Sequence, residues 1–283
     1  MRKLALTLVL LFVFYPLSGQ AATDIKNDAA LGSNLTTAWF GSSEAVEVDL
    51  TSNGNTLTNV NTVLSGTSPN TGETTADFEY SSSEYFTRAD TADISFTSAF
   101  SFAMWINFES YGTGGQTPML LRKYGAAGSQ DYIMEWGVSG TTLTPRFQYF
   151  DGTTYRDASA SAGSTINAGT WYHMCITFDA GSVIYYINGS KLGNTMSVGG
   201  TAIADGAGTL YVSSTNGSGQ YIDGQVHQLL FYDKVLTSTD CSDLYNAGTE
   251  LPFEAAGAEP EATTFPATAV HGSTAVTGAT IIQ

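Results

Sequence analysis

The sequence predicts an all-β, antiparallel sandwich with one short helix near its C-terminal end. Composition is the first observation. Only 13% of the 283 residues are charged while Gly (30), Tyr (15) and Phe (15) abound, a balance that disfavours long helices and favours strands joined by turns. The second is strict alternation: Phe100, Phe102, Met104, Ile106 and Phe108 put five large apolar side chains on one face of a strand. The third is the punctuation. Gly, Asn and Ser recur between apolar runs, with no alternation of strand and helix patterns that would signal βαβ units.

In chain order, residues 1–22 read as a secretory signal. Arg2 and Lys3 precede an apolar run, Leu4 to Tyr15, too short to span a bilayer, and small residues suit cleavage after Ala21 or Ala22. Residues 23–252 form the expected sandwich domain. Ala103 and Trp105 point away from the five-residue apolar face, so the second face of that strand is expected to be partly covered. Tyr132, Met134, Trp136 and Val138 alternate next, then Leu143, Phe147 and Tyr149. Trp171, Met174, Ile176 and Phe178 mark another strand, and Val183 to Ile187 the one after it. Asn188-Gly189 ends that strand with two residues that tolerate positive φ, a tight-turn signal. Leu210 to Ser213 and Gln225 to Tyr232 supply later strands. The helix is placed at Thr237 to Ala247, where Thr237 and Asp240 have capping-box spacing and Gly248 suits the far end. Residues 253–283, rich in Ala, Thr, Gly and Pro, read as a mobile extension or attachment segment.

Charge narrows the partners. Asp plus Glu outnumber Lys plus Arg by 26 to 10, a formal net charge of −16. Loss of the leader takes Arg2 and Lys3 with it and leaves −18. Such a surface repels phosphate backbones, which argues against nucleic acid. After the leader, no apolar stretch approaches a membrane-spanning length, so the expected location is secreted, extracellular, periplasmic or cell-surface. Two cysteines make neither a metal framework nor a disulfide scaffold. Cys175 and Cys241 are either bridged in an oxidising compartment or buried separately.

Four segments together resemble the laminin G-like, concanavalin A-like jelly-roll family. Phe100-Ser-Phe-Ala-Met-Trp105-Ile-Asn-Phe resembles an early family strand. Gly169-Thr-Trp171-Tyr-His-Met-Cys-Ile-Thr-Phe178-Asp179 and Val183-Ile-Tyr-Tyr186-Ile-Asn188-Gly189 resemble a central pair. Asp223-Gly224-Gln-Val226 through Tyr232, then Leu236 and Leu244-Tyr245-Asn-Ala-Gly248, resembles the closing strand and helix. They occur in family order over most of residues 36 to 250. The resemblance implies a jelly roll that binds glycans or proteins through rim loops or a sheet face, sometimes with calcium. His227 stands where the family pattern has Asp, which removes one possible ligand. Trp105, Trp171, Tyr186 and Tyr232 also read simply as packing residues, and a fold does not imply a function.

Catalytic signals are thin. The strand motif E-x-D-x-x-E of related β-glucanases has its nearest match in Glu47-Val-Asp49-Leu-Thr-Ser52, which lacks the second Glu. Glu44, Glu47 and Asp49 read instead as a solvated acidic edge. Glu135 is a solitary strand carboxylate, and there is no nucleophile elbow, zinc spacing or phosphate loop. The chain is therefore read as no enzyme. For calcium, Asp49-Leu-Thr-Ser-Asn53-Gly-Asn55 offers hard oxygen ligands around a turn resembling a family loop, and Asp223 adds a later carboxylate. The other reading of this loop is a turn that Asp49 caps. For glycan, the segment 111–156 supplies aromatic rings and planar polar groups: Tyr111, Arg122, Tyr124, Trp136, Tyr149 and Tyr155. The expected function is noncatalytic recognition of carbohydrate or a surface glycoconjugate. The alternative is a structural or adhesion protein that assembles through a surface protein partner, and a polysaccharide hydrolase stands third.

Overall fold

A computed structural model describes residues 22–41, 46–69, 73–111, 118–125, 130–139 and 142–254. The leader, apart from Ala22, and the tail beyond Glu254 lie outside the described residues. The first strands are β1 (Leu35–Trp39), β2 (Val46–Glu47), β3 (Leu57–Val60), β4 (Leu64–Thr67), β5 (Thr74–Phe78) and β6 (Tyr85–Arg88). The middle of the chain forms β7 (Ala99–Ser110), β8 (Met119–Tyr124), β9 (Gln130–Ser139), β10 (Thr142–Phe150), β11 (Tyr155–Ser159) and β12 (Ser164–Thr165). Then come β13 (Trp171–Asp179), β14 (Ser182–Ile187), β15 (Ser190–Ser197), β16 (Thr209–Val212), β17 (Asp223–Tyr232) and the helix α1 (Ser238–Tyr245).

These strands build two antiparallel sheets with non-sequential neighbours, a jelly-roll sandwich. Sheet A has the order β15-β14-β13-β7-β17-β5-β4, with β1 also paired to β17. Sheet B has the order β11-β10-β9-β8-β16-β6-β3-β2, with β12 paired to β10. Phe100, Phe102, Met104, Ile106 and Phe108 face inward from β7 and meet Tyr132, Met134, Trp136, Phe147 and Tyr149 of sheet B in one core. The inward parity of β17 changes once. His227 and Leu230 bracket a bulge in β17 where it pairs with β7, with Gln228 at φ 50°, so Val226 and Leu229, three residues apart, both enter the core. Gly224 of β17 is equally constrained: a Cβ there would stand 2.1 Å from the Asn107 carbonyl oxygen of β7.

The outer face of sheet A is covered. Ala103, Cys175, Leu230 and Tyr232 form a second apolar cluster with Ile25, Leu31, Leu236, Cys241, Leu244 and Leu251. Trp105, also outward from β7, packs on His173 and Tyr245. A disulfide joins Cys175 on β13 to Cys241 on α1, which decides between the two cysteine readings. The capping box is present: Thr237 accepts from the Asp240 amide and Asp240 from the Thr237 amide. The helix stops earlier than the sequence suggested, because Asn246 takes the left-handed conformation at φ 44° and ends it before Gly248. Asn188 and Gly189 make the predicted turn between β14 and β15, both at positive φ. Two residues assigned to the tail belong to the folded body: Phe253 packs on Phe40, and Glu254 pairs with Lys26.

Candidate functional site

The two outer faces differ in what covers them. Helix α1 and the flanking segments lie on sheet A, whereas among the described residues no helix lies on the outer face of sheet B. Parity sets what that face carries. On β16, Leu210 and Val212 enter the core, so Tyr211 between them points out. Tyr211 is in register with Arg122 of β8, and Arg122 with Ile133 of β9. Phe147 is a core residue of β10, which puts Arg146 and Gln148 on the outer face, opposite Ser159 and Asp157 of β11.

Arg122 is the centre of this surface. Its guanidinium carbon lies 4.2 Å from the ring centroid of Tyr124, a cation–π contact. The residue is only 8% exposed, and its Nε has no hydrogen-bond partner among the described residues. Burial holds the guanidinium's proton affinity below its ordinary value, opposed by Tyr124, Glu135, Tyr155 and Tyr211 around it. Beyond Tyr211 a row of tyrosines continues. Tyr85 lies 6.1 Å from Tyr211, Tyr221 stacks on Tyr85 at 6.3 Å, and Tyr80 lies 6.3 Å from Tyr221. At the other end Tyr155, 46% exposed, leans on Phe150 at 5.1 Å.

The structure therefore brings three of the six expected glycan-binding residues together: Arg122, Tyr124 and Tyr155. Tyr111 is half-buried at the end of β7 and donates its hydroxyl to the Ile166 carbonyl. Trp136 and Tyr149 are corrections. They are 0% and 1% exposed, inward on β9 and β10 in the sandwich core, where no ligand reaches them. Aromatics in a clean alternation are those that face the core, and the alternation that suggested these two is the reason they are unavailable. Tyr85, Tyr211 and Tyr221 were missed. For Tyr211 the signal was present, since it breaks the apolar parity of Leu210 and Val212.

The expected calcium set does not converge. Asp49 is buried and both its oxygens are taken: Oδ1 accepts from the Ala38 and Thr51 amides, Oδ2 from the Asn55 amide at 2.8 Å, and the Thr51 hydroxyl reaches both. Asn53 donates to the Thr36 carbonyl. Asn55 is buried between Thr91, Arg88 and Asp93. These are donors folded around a carboxylate, the turn-capping arrangement, and they do not fit a cation. Asp223 is far away. Ala38 lies opposite Leu230, and Asp223 begins the same strand seven residues earlier, roughly 20 Å along it. There it accepts from the Ser110 hydroxyl and the Tyr80 amide, beside Asp77 and Glu109, whose proton affinities are raised by burial and by mutual repulsion. Nor is Glu47 part of a solvated edge: it is buried and accepts from the Phe40 and Gly41 amides.

Two ionic groups flank the open face. Arg146 bridges Glu135, at 2.8 Å, and Asp157 across β9, β10 and β11. Burial favours the neutral form of Asp157, but hydrogen bonds from Arg146 and Ser159 outweigh it and hold the carboxyl below its usual range. A general acid for glycoside cleavage needs the opposite shift. At the end of β8, Lys123 is fully buried among Asp90, Asp131 and Asp205, at 2.8, 2.9 and 3.3 Å. Its Nζ also meets the Ser95 hydroxyl and the Gly206 carbonyl.

Comparison with known proteins agrees with this architecture. The family model of the concanavalin A-like lectin/glucanases superfamily matches residues 80–242. The binding domain of Paraclostridial Mosquitocidal Protein 1 is similar in structure, with TM-score 0.57 and 18% identity over 76% of this chain and 52% of that one. So is domain 4 of AbnA, a GH43 extracellular arabinanase from Geobacillus stearothermophilus solved with arabinotriose, with TM-score 0.57 and 17% identity over 75% and 98%. The binding domain of botulinum neurotoxin serotype G gives TM-score 0.56 and 15% identity over 75% and 50%. The chain spans about half the length of the two toxin domains.

Proposed function

The chain belongs to the concanavalin A-like lectin/glucanases superfamily, and we propose that it is a secreted, noncatalytic recognition domain that binds carbohydrate or a glycoconjugate on the outer face of sheet B. One observation carries this reading: a buried arginine whose Nε has no hydrogen-bond partner, set against one tyrosine and beside a row of others on the sheet face that, among the described residues, no α-helix covers. Sugar rings offer C–H faces that stack on tyrosine and hydroxyls that bond planar groups. The arabinotriose held by the arabinanase domain supports carbohydrate as the ligand class. The Cys175–Cys241 bridge suits an oxidising compartment, and no described helix is long and apolar enough to cross a membrane. The noncatalytic reading is supported by the carboxylates of the face itself: Glu135 and Asp157 share Arg146, and its hydrogen bonds hold Asp157 below its usual range.

The test is a glycan array probed with the full chain and with a Tyr155→Ala, Tyr211→Ala double variant. The expected result is a defined set of bound glycans that the double variant loses while its melting temperature holds. Equal binding by both proteins removes sheet B from consideration. A blank array directs the search to protein partners, the structural or adhesion alternative.

A further inference from the structure

Among the described residues, Arg122 stands apart from the other cations on and around this face. Arg146 is bonded to Glu135 and Asp157, Arg156 to Asp151, and Lys123 to three aspartates. Arg122 differs from all of them. It is in electrostatic reach of Glu135, but that carboxylate is bonded to Arg146, and among the described residues no acceptor hydrogen-bonds the Arg122 guanidinium. Buried guanidinium donors are ordinarily paired, because burying a donor without an acceptor is unfavourable. We propose that Arg122 is the recognition point for a sugar carboxylate, so that the ligand is an acidic glycan whose charged unit sits over Arg122 and whose following units run along Tyr211, Tyr85 and Tyr221. This rests on the carbohydrate reading of sheet B and narrows it to a ligand class.

Charge and geometry both support the choice. A carboxylate matches the planar guanidinium fork, and a neutral hydroxyl does not. Tyr124 covers one face of the guanidinium and holds its plane. The tyrosine rings are spaced 6.1 and 6.3 Å apart, so the row suits a chain of several rings. Two sources share the chemistry, a uronic acid within a backbone and a sialic acid at a terminus.

Titration calorimetry of the full chain separates them with four probes: tetragalacturonate, its fully methyl-esterified counterpart, 3′-sialyllactose and lactose. The acid of at least one pair is expected to bind roughly ten-fold or more tightly than its neutral counterpart, with the preference shrinking in high salt. Tighter tetragalacturonate places the acid in a backbone, and tighter sialyllactose places it at a terminus. Arg122→Lys is expected to shrink the preference several-fold, since an ammonium keeps the charge without the fork, and an undiminished preference overturns the assignment to Arg122. Equal binding of acid and neutral forms overturns the proposal and leaves the carbohydrate reading standing. Silence from all four probes overturns the proposal, and the array then decides the reading beneath it. The wild-type arms stand without any variant, so a misfolded Arg122→Lys does not blunt the test.

Discussion

Replacing Arg122 by Met should make the protein more stable while removing its preference for acidic ligand. Leaving the Nε donor buried and unpartnered costs about 1–3 kcal/mol. The cation–π contact with Tyr124 at 4.2 Å returns about 0.5–2 kcal/mol. Met preserves the unbranched apolar stem that fills the gap between Tyr124, Ile133 and Tyr211, and its thioether still contacts a ring. The balance favours the variant by roughly 1 kcal/mol, which for a domain of this length raises the melting temperature by about 2–4 °C. Denaturant and thermal melts of both proteins without ligand measure it. A loss of stability of about 1 kcal/mol or more would falsify the reasoning, because it would make Arg122 a structural residue whose favourable contacts exceed its desolvation. Gain of stability with loss of acid selectivity is the signature of a group kept for binding.

The remaining expectations concern the scaffold. Replacing both Cys175 and Cys241 by Ala releases a 66-residue separation and should lower stability by about 4 kcal/mol on the chain-entropy estimate, read by urea titration and matched by reduction of the wild type. Lys123→Met strands Asp131, 2% exposed, and should cost about 3–5 kcal/mol at pH 7. Asp131 already has a raised proton affinity, chiefly through burial, so the penalty should shrink toward pH 4 as the carboxyl takes up a proton. A penalty independent of pH would refute that account. His173 is fully buried against Trp105 and Tyr245, and burial lowers its pKa to about 3. With the folded value below the unfolded one, its contribution is complete above about pH 6.5 and falls by up to roughly 1.4 kcal/mol per pH unit as pH drops toward 3. His173→Gln should flatten that slope in melts recorded from pH 7 to 4.

The elements that were legible in the sequence are those with local rules. β7 was legible because five apolar residues alternate without interruption, the β14–β15 turn because Asn188-Gly189 permits positive φ, and the helix start because Thr237 and Asp240 bond each other. The early strands were less so. β2 to β6 are two to five residues long, and a run that short has no reliable period. The site was half legible. Arg122, Tyr124 and Tyr155 lie on or beside one hairpin system, so one stretch of sequence contains them. Tyr211 and Tyr85 reach the same face only because β16 and β6 insert next to β8, a pairing between residues far apart in the chain. The calcium loop failed for a different reason: side chains that could ligate an ion also satisfy backbone amides, and Asp49 does the latter.

The unequal treatment of the two sheets explains how a rigid site arises from strands alone. Sheet A is backed by α1, tied by Cys175–Cys241 and packed through Leu230, Tyr232 and Leu244, so the sandwich is braced on the side away from the proposed ligand. On sheet B the outward residues Arg122, Tyr124, Arg146 and Tyr211 are positioned by the register of β8, β9, β10 and β16. A ligand meeting such a face finds Arg122 already desolvated by Tyr124 and its neighbours, so the energetic penalty of drying the guanidinium has been met in folding. An acid supplies the acceptor that the Arg122 Nε lacks, in a paired geometry that a neutral hydroxyl does not offer. Discrimination built that way adds to what stacking can supply, because every ring stacks on tyrosine but an acid alone matches the Arg122 fork with two oxygens. The same arrangement requires the free protein to hold an unsatisfied donor, which ties the stability gain expected of Arg122→Met to the selectivity expected of the wild type as two readings of one buried charge.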